Sequence, residues 1–378
     1  MKNSSPVVAL AEPQKVQIAQ VNKQLSKIWS AKNDSGATRA STFNLLVFQP
    51  ETAHAEEIPA SIGAIAIQHP CRAIVLSAAS DVPESGLEAF VAAYCPISEG
   101  GAQESICCEY VTLRASGQAL EELHTTVSSL LLPELETFLW WQAPIAPNLQ
   151  LFTNLQGIVD RTVIDSLLFE TPDESLRRFA EFALASKGSN SFGDLNWSRL
   201  TPWREEAALA FDSEERCKCL GSLDQVIIEY GQKPNSLVNP SQAYLFLGWF
   251  AGRLGWTPIS FHSKKGLRQL IFTDREQRPI QATIKAVPTE TDLDARIMSI
   301  GLSSSDSGSD CSTILCSEDA PSCVRVQTSI GEGLTTYVTA LTNLNTEQLL
   351  SEVLQAPDHD VIFEEALGVV HAMLSLLK

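Results

Sequence analysis

Four short segments, Phe43–Phe48, Arg72–Ser77, Tyr110–Arg114 and Thr137–Gln142, are apolar almost without interruption and are bounded by Pro, Gly and Ser. A strand that is apolar on both faces cannot border water. It belongs in the middle of a sheet with helices on each side, which favours parallel or mixed pairing. The covering helices are visible as well. Leu120, Leu123, Val127, Leu130 and Leu131 recur at helical spacing after Gly117, and Pro133 ends the run. A second helix opens at Thr171-Pro172-Asp173-Glu174, where Thr171 can cap, Pro172 fits the first turn and Glu174 can reach back to complete a capping box.

Beyond about residue 205 the pattern changes. Val226–Tyr230, Arg268–Thr273 and Ile280–Val287 read as strands, and in the last Ile280, Ala282, Ile284 and Ala286 alternate with polar residues, as a sheet with one wet face requires. Asn239-Pro240-Ser241 starts a helix running to Leu254, and Asn345 with Gln348 starts another. Ile362, Ala366, Val369, Val370, Met373 and Leu377 form a last helical stripe. The expected fold class is therefore α/β: an N-terminal helix-covered parallel or mixed sheet, followed by a C-terminal α+β domain with a largely antiparallel sheet. The expected domains are a partly mobile N-terminal arm at 1–37 holding one short amphipathic helix, an α/β domain at 38–190 and an α+β domain at 191–378. The polar run Ser303-Ser304-Ser305-Asp306-Ser307-Gly308-Ser309-Asp310 predicts a flexible loop.

The charge balance narrows the function. With 45 acidic against 27 basic residues and a net charge of −18, the chain repels the phosphate backbone, so no nucleic-acid partner is expected. The N-terminus lacks a basic stretch followed by an apolar run. The apolar segment from Ala243 to Leu254 is interrupted by Gly248, Gly252 and Arg253 and is too short for a bilayer. A cytoplasmic protein without a membrane partner is expected. No Gly-rich phosphate loop, dinucleotide fingerprint, nucleophile elbow or metal helix occurs, so no catalytic residue, cofactor or metal is assigned. Asp358-His359-Asp360 reads as a helix cap. The nine cysteines are irregularly spaced, as reduced thiols are. Cys107 and Cys108, adjacent on a strand, read as independent buried thiols. Cys311, Cys316 and Cys323, beside the acidic loop, are the redox candidates, with ordinary reduced thiols as the alternative.

Several longer phrases carry a resemblance. His69-Pro70-Cys71-Arg72-Ala73-Ile74-Val75-Leu76, Leu139-Trp140-Trp141, Asp160-Arg161 with Asp165-Ser166, Gly193-Asp194-Leu195-Asn196-Trp197, Leu200-Thr201-Pro202-Trp203-Arg204-Glu205 and Val238-Asn239-Pro240-Ser241-Gln242-Ala243-Tyr244 are similar to the OpcA family of glucose-6-phosphate dehydrogenase assembly proteins, its cyanobacterial branch above all. The resemblance implies a non-catalytic accessory protein that binds glucose-6-phosphate dehydrogenase, promotes its active oligomer and allosterically activates it in the oxidative pentose phosphate pathway. It also implies thiol control linked to thioredoxin. Aromatic and arginine side chains dominate interface energetics, which makes Trp197, Arg199, Trp203 and Arg204 the partner-binding candidates; the alternative is that the tryptophans fill a domain junction while the arginines pair with local acids. Arg39, Arg72 and Asp165 are read either as loop anchors or as a vestigial anion pocket at the sheet's C-terminal edge. The competing functions are a sugar-phosphate enzyme of an α/β class and a stand-alone redox sensor.

Overall fold

The computed structural model describes residues 7–31, 37–49, 62–63, 65, 68–78, 86–96, 105–143, 145, 149–186, 190–264, 266–290, 293–304, 311–316, 323–330, 333–342, 344–356 and 359–377. The strands of the first sheet are β1 (Val7–Val16), β2 (Ala37–Arg39), β3 (Phe43–Gln49), β4 (Cys71–Ala78), β5 (Leu87–Pro96), β6 (Ser105–Ala115), β7 (Thr137–Trp141), β8 (Arg161–Ile164) and β9 (Ser191–Asp194). Those of the second are β10 (Gln225–Gln232), β11 (Thr257–Lys264), β12 (Leu267–Thr273), β13 (Pro279–Pro288), β14 (Ile297–Ser303), β15 (Cys311–Cys316), β16 (Cys323–Ile330) and β17 (Gly333–Ala340). The helices are α1 (Val21–Ala31), α2 (Gly117–Glu121), α3 (Leu123–Ser128), α4 (Leu149–Gln156), α5 (Pro172–Ala185), α6 (Leu195–Arg199), α7 (Thr201–Leu209), α8 (Glu214–Leu220), α9 (Ser241–Leu254), α10 (Thr346–Gln355) and α11 (Val361–Ser375). None of the described helices is long and apolar enough to cross a membrane.

The chain divides into two compact units. Met1–Asp165, Gly188–Gly193 and Asn345–Asp358 make the first; Ser166–Lys187, Asp194–Leu344 and His359–Lys378 make the second. The boundary is thus crossed several times rather than once near residue 190. Helix α5 belongs with the second unit, where Phe179 faces Phe363 at 6.4 Å between ring centroids. Helix α10 belongs with the first, where the buried Arg161 donates from Nη1 to the carbonyl of Val353 at 2.6 Å and to that of Ala356 at 3.1 Å, satisfying carbonyls at the helix end.

The first sheet runs β1-β5-β6-β4-β3-β7-β8-β9, with β2 added along β6. Strands β6, β4, β3, β7 and β8 are parallel neighbours, and β1 and β5 extend the sheet antiparallel, so it is mixed. All but the last residue of β3 and of β4 is buried, as their unbroken apolar character requires. The one polar interruption in β3, Asn44, is satisfied: its Oδ1 accepts from the Leu132 amide at 2.8 Å and its Nδ2 donates to the Leu132 carbonyl at 3.1 Å. The order changes direction between β3 and β7, which makes their C-terminal ends the switch point of a doubly wound sheet. Over the described residues 7–31 of the N-terminal segment, β1 pairs with β5, and α1 is the expected short amphipathic helix, burying Val21, Leu25 and Ile28.

The second sheet runs β11-β12-β13-β10-β14-β15-β16-β17, and every pair in it is antiparallel except β10 with β13. The period-2 pattern of β13 puts Ile280, Ala282 and Ile284 into the core. Helices α9 and α11 pack together closely at Gly248, where a Cβ would lie 2.6 Å from Val370 Cγ2 and 2.8 Å from the Ala366 carbonyl oxygen. Gly255, at φ +69°, ends α9 in the left-handed conformation that glycine adopts most cheaply.

Candidate functional site

The Trp/Arg-rich segment lies on α6 and α7 and is fixed from beneath by a chain of buried polar groups. Asp194 Oδ1 accepts from the amide of Asn196 at 2.9 Å, capping α6, and from the amide of Ser166 at 3.0 Å. Asn196 Nδ2 donates to Ser166 Oγ at 3.1 Å, Gln242 Nε2 donates to Asn196 Oδ1 at 3.0 Å, and the Ile297 amide donates to Gln242 Oε1 at 2.7 Å. Asn239 Nδ2 holds the same loop through the carbonyls of Ser166, Leu167 and Phe169. Each of these groups would be costly to bury alone, and together they leave α6 little freedom.

On that base Trp197 is buried, with its ring against Phe363 and its Nε1 donating to Asp360 Oδ2 at 2.8 Å. Asp360 Oδ1 meanwhile accepts from the Phe363 amide at 2.9 Å, so one carboxylate caps α11 and orients the indole. The Arg204 guanidinium lies over the Trp197 ring, 3.6 Å from its centroid. It is half-buried, donates from Nη2 to Thr201 Oγ1 at 2.9 Å, and its buried Nε has no acceptor. Burial lowers its pKa to about 10, against the opposing pull of Asp360 and Glu205, so it remains a cation at neutral pH. A stacked and oriented guanidinium is an arrangement suited to recognising a carboxylate on another molecule. Of the other two candidates in the segment, Trp203 is buried in the core and Arg199 is half-buried.

The remaining candidates sit elsewhere. Arg72 is 4% exposed and Glu109 is 1% exposed. Arg72 Nε and Nη2 reach Glu109 Oε2 at 2.7 and 2.5 Å, Nη1 donates to the Leu130 carbonyl and to Asn22 Oδ1, and Trp29 Nε1 donates to Glu109 Oε1 at 2.9 Å. The register puts Arg72 at the start of β4, beside Asn44 of β3, whereas Asp165 follows the end of β8, whose Ile164 lies beside Trp141. The two stand at opposite ends of the parallel strands, roughly 15 Å apart along them at about 3.3 Å per residue. The side chain of Arg39 lies outside the described residues. No shared pocket at the C-terminal edge is formed by Arg72 and Asp165.

Among the cysteines, Cys95 and Cys107 form a disulfide with a Cα–Cα distance of 4.2 Å, so Cys107 is not the independent thiol its sequence position suggests. The antiparallel pairing of Tyr94 with Cys108 is the reason, because it puts Cys95 and Cys107 opposite one another. Cys108 faces Cys71 of β4; their mutual hydrogen bond, then burial, pushes the Cys71 thiol up. Cys219 is also disulfide-bonded, while Cys217 is exposed and free. Cys323 is a half-buried free thiol, and the side chains of Cys311 and Cys316 lie outside the described residues. Among the described residues no group of three or more His, Cys, Asp or Glu is arranged to hold a metal.

Two family models match the chain: a glucose-6-phosphate dehydrogenase subunit N-terminal domain over residues 63–181 and the corresponding C-terminal domain over residues 190–367. The OxPP cycle protein OpcA of Synechocystis sp. is 31% identical, and the match spans 98% of this chain and 94% of that protein. The chain belongs to the OpcA family. The OpcA protein of Nostoc punctiforme, also 31% identical, aligns over 99% of this chain and 96% of its own length. In fold, this OpcA family member is similar to an oxidoreductase from Sinorhizobium meliloti, with a TM-score of 0.50 at 10% identity over 88% of this chain and 97% of that one.

The sequence gives no sign of Asp360 as a partner of Trp197, since the two are far apart along the chain. Glu109 did leave a signal: it is a lone acid within the apolar run Cys107-Cys108-Glu109-Tyr110-Val111, and such a residue needs a buried cation.

Proposed function

We propose that this protein is a non-catalytic cytoplasmic partner of glucose-6-phosphate dehydrogenase that favours the active oligomer of that enzyme and raises its response to substrate. The observation that carries the reading is Arg204, a half-buried cation stacked on a rigidly held Trp197. Membership in the OpcA family, whose models are described as dehydrogenase subunit domains, supplies the partner. An activator must bind the competent state better than the idle one. A tenfold gain in apparent substrate affinity needs about 1.4 kcal/mol of such preference, within reach of one arginine contact. Thiol control, with a thioredoxin-type reductant as second partner, is part of the proposal; the free, half-buried Cys323 and the Cys95–Cys107 disulfide support it.

A second reading comes from the fold shared with an oxidoreductase. Against it stands the segment after β3, the place where a doubly wound sheet presents a glycine-rich turn to a dinucleotide. It reads Pro50-Glu51-Thr52-Ala53-His54-Ala55-Glu56-Glu57-Ile58-Pro59-Ala60-Ser61-Ile62-Gly63, with a single glycine at its far end in place of a glycine-rich turn, and three glutamates that repel a pyrophosphate. Co-migration with the purified dehydrogenase on size exclusion, lost on Arg204→Ala, is the expected result. Turnover of a sugar phosphate by the protein alone would overturn the proposal.

A further inference from the structure

An open sheet ends in strands whose outer amides and carbonyls are available to any other strand, and folded proteins blunt such edges with prolines, bulges, lysines or shortness. Among the described residues, three of the four sheet edges are blunted that way. Strand β1 contains Pro13 and Lys15 and two register shifts. Strand β9 is only four residues long. Strand β11 contains Pro258, a register shift and a terminal Lys264, and Phe261 bridges to Leu377 on its free side.

Strand β17 has none of these devices. Gly333-Leu334-Thr335-Thr336-Tyr337-Val338-Thr339-Ala340 contains no charge and no proline, and its register with β16 is unbroken from Gly333 to Ala340. Most of the side chains in it are β-branched or aromatic, the types that favour strands. Leu334 and Val338 are each 63% exposed. The strand is also held extended: Arg216 Nη2 donates to Thr335 Oγ1 at 3.2 Å, and Tyr337 Oη donates to Glu206 Oε2 at 3.2 Å. Among the described residues nothing pairs with its outer edge.

We infer that β17 pairs antiparallel with β17 of a second copy of this chain, about a two-fold axis through Thr336. The occupant follows from the strand's own symmetry. Pairing about Thr336 sets Leu334 against Val338 on one face, Thr335 against Tyr337 on the other, and Thr336 against itself. These are aliphatic, aromatic with β-branched, and Thr–Thr pairs, all favourable across antiparallel strands. A closed two-fold contact of this kind is isologous and uses up the edge. Charge points the same way. Two copies of a chain with net charge −18 repel, and an uncharged strand is where they can approach without setting like charges opposite one another. One strand pair buries less than the roughly 1,200 Å² of a stable interface, so the dimer is weak and concentration-dependent.

Sedimentation velocity on the full-length chain over about a hundredfold range of concentration tests this, since an equilibrium passes from mostly single to mostly paired over such a span. The mass should rise from one chain toward two. Val338→Lys and Leu334→Lys, both at exposed positions and each setting two lysines per dimer against aliphatic side chains of the partner strand, should weaken pairing at least about tenfold while circular dichroism stays unchanged. Ile259→Lys on the opposite edge should leave pairing as it was. A single-chain mass at every concentration, or a dimer indifferent to Val338→Lys, overturns the inference. So does a chain that stays single while Val338→Lys weakens capture of the dehydrogenase, which would assign the edge to a strand of the enzyme.

Discussion

Replacing Glu109 by glutamine keeps the shape of the side chain and removes the charge that Arg72 faces. The Arg72 side chain is 5% exposed and that of Glu109 is 1% exposed, with Nη2 and Oε2 2.5 Å apart, so solvent screens the pair very little. Removing one member of a pair this deeply buried leaves the other charge uncompensated and costs about 3–5 kcal/mol. The glutamine oxygen can accept from Arg72 or from Trp29 Nε1, which both bond the carboxylate in the wild-type protein, and its new amide group points hydrogens at a cation. In urea, with a slope near 2 kcal/mol per molar, the midpoint for the first unit should fall by about 2 M. Circular dichroism and tryptophan fluorescence would follow it. The double variant Arg72→Met/Glu109→Leu should recover most of the loss, because two apolar side chains of similar volume carry no desolvation cost. A loss below about 1 kcal/mol for Glu109→Gln would refute the reasoning, since it would place Arg72 in contact with water and free to take an anion.

Arg204→Ala should leave folding intact and weaken dehydrogenase binding by about tenfold to a hundredfold, the range of a hot-spot arginine, measured by titration calorimetry. Asp360→Ala removes both the cap of α11 and the acceptor of Trp197 Nε1, and should cost about 2–3 kcal/mol in denaturant unfolding. Gly248→Ala should destabilise by about 1–3 kcal/mol despite the better helix propensity of alanine, because its methyl group would meet Val370 and the Ala366 carbonyl. Cys95→Ser should lower stability by about 3 kcal/mol under non-reducing conditions, as opening a loop of this length does, and should change little in excess reductant.

The parallel strands β3, β4 and β7 were legible because strands buried on both faces have no polar alternation to disguise them. The same logic hid β5, whose Ala89, Ala92 and Ala93 are buried yet small and give a weak apolar signal. Strands β14 to β17 carry Ser and Thr among their apolar residues and so lack the regular apolar alternation that marks β13. Caps were readable where they are local. Asn345 and Gln348 form the reciprocal capping box their spacing announces, and Asp360 caps α11. Thr171, in contrast, makes no side-chain cap bond, and Glu174 turns to Arg178 instead of reaching back. At the candidate site the sequence named Trp197 and Arg204 but not what orients them, since Asp360 and Phe363 arrive from the last helix. The anion pocket failed for a related reason: register decides which end of a parallel sheet a residue occupies, and register is set by contacts between segments distant in sequence.

The central claim is that this protein acts by preferring the working state of another enzyme. It is tested most directly by adding the purified chain to glucose-6-phosphate dehydrogenase at limiting glucose 6-phosphate and following NADPH formation. The account predicts a rise that saturates near a fixed stoichiometric ratio and is displaced to higher protein concentration by Arg204→Ala. A rate that stays flat at every ratio, with the thiols oxidised or reduced, would contradict it.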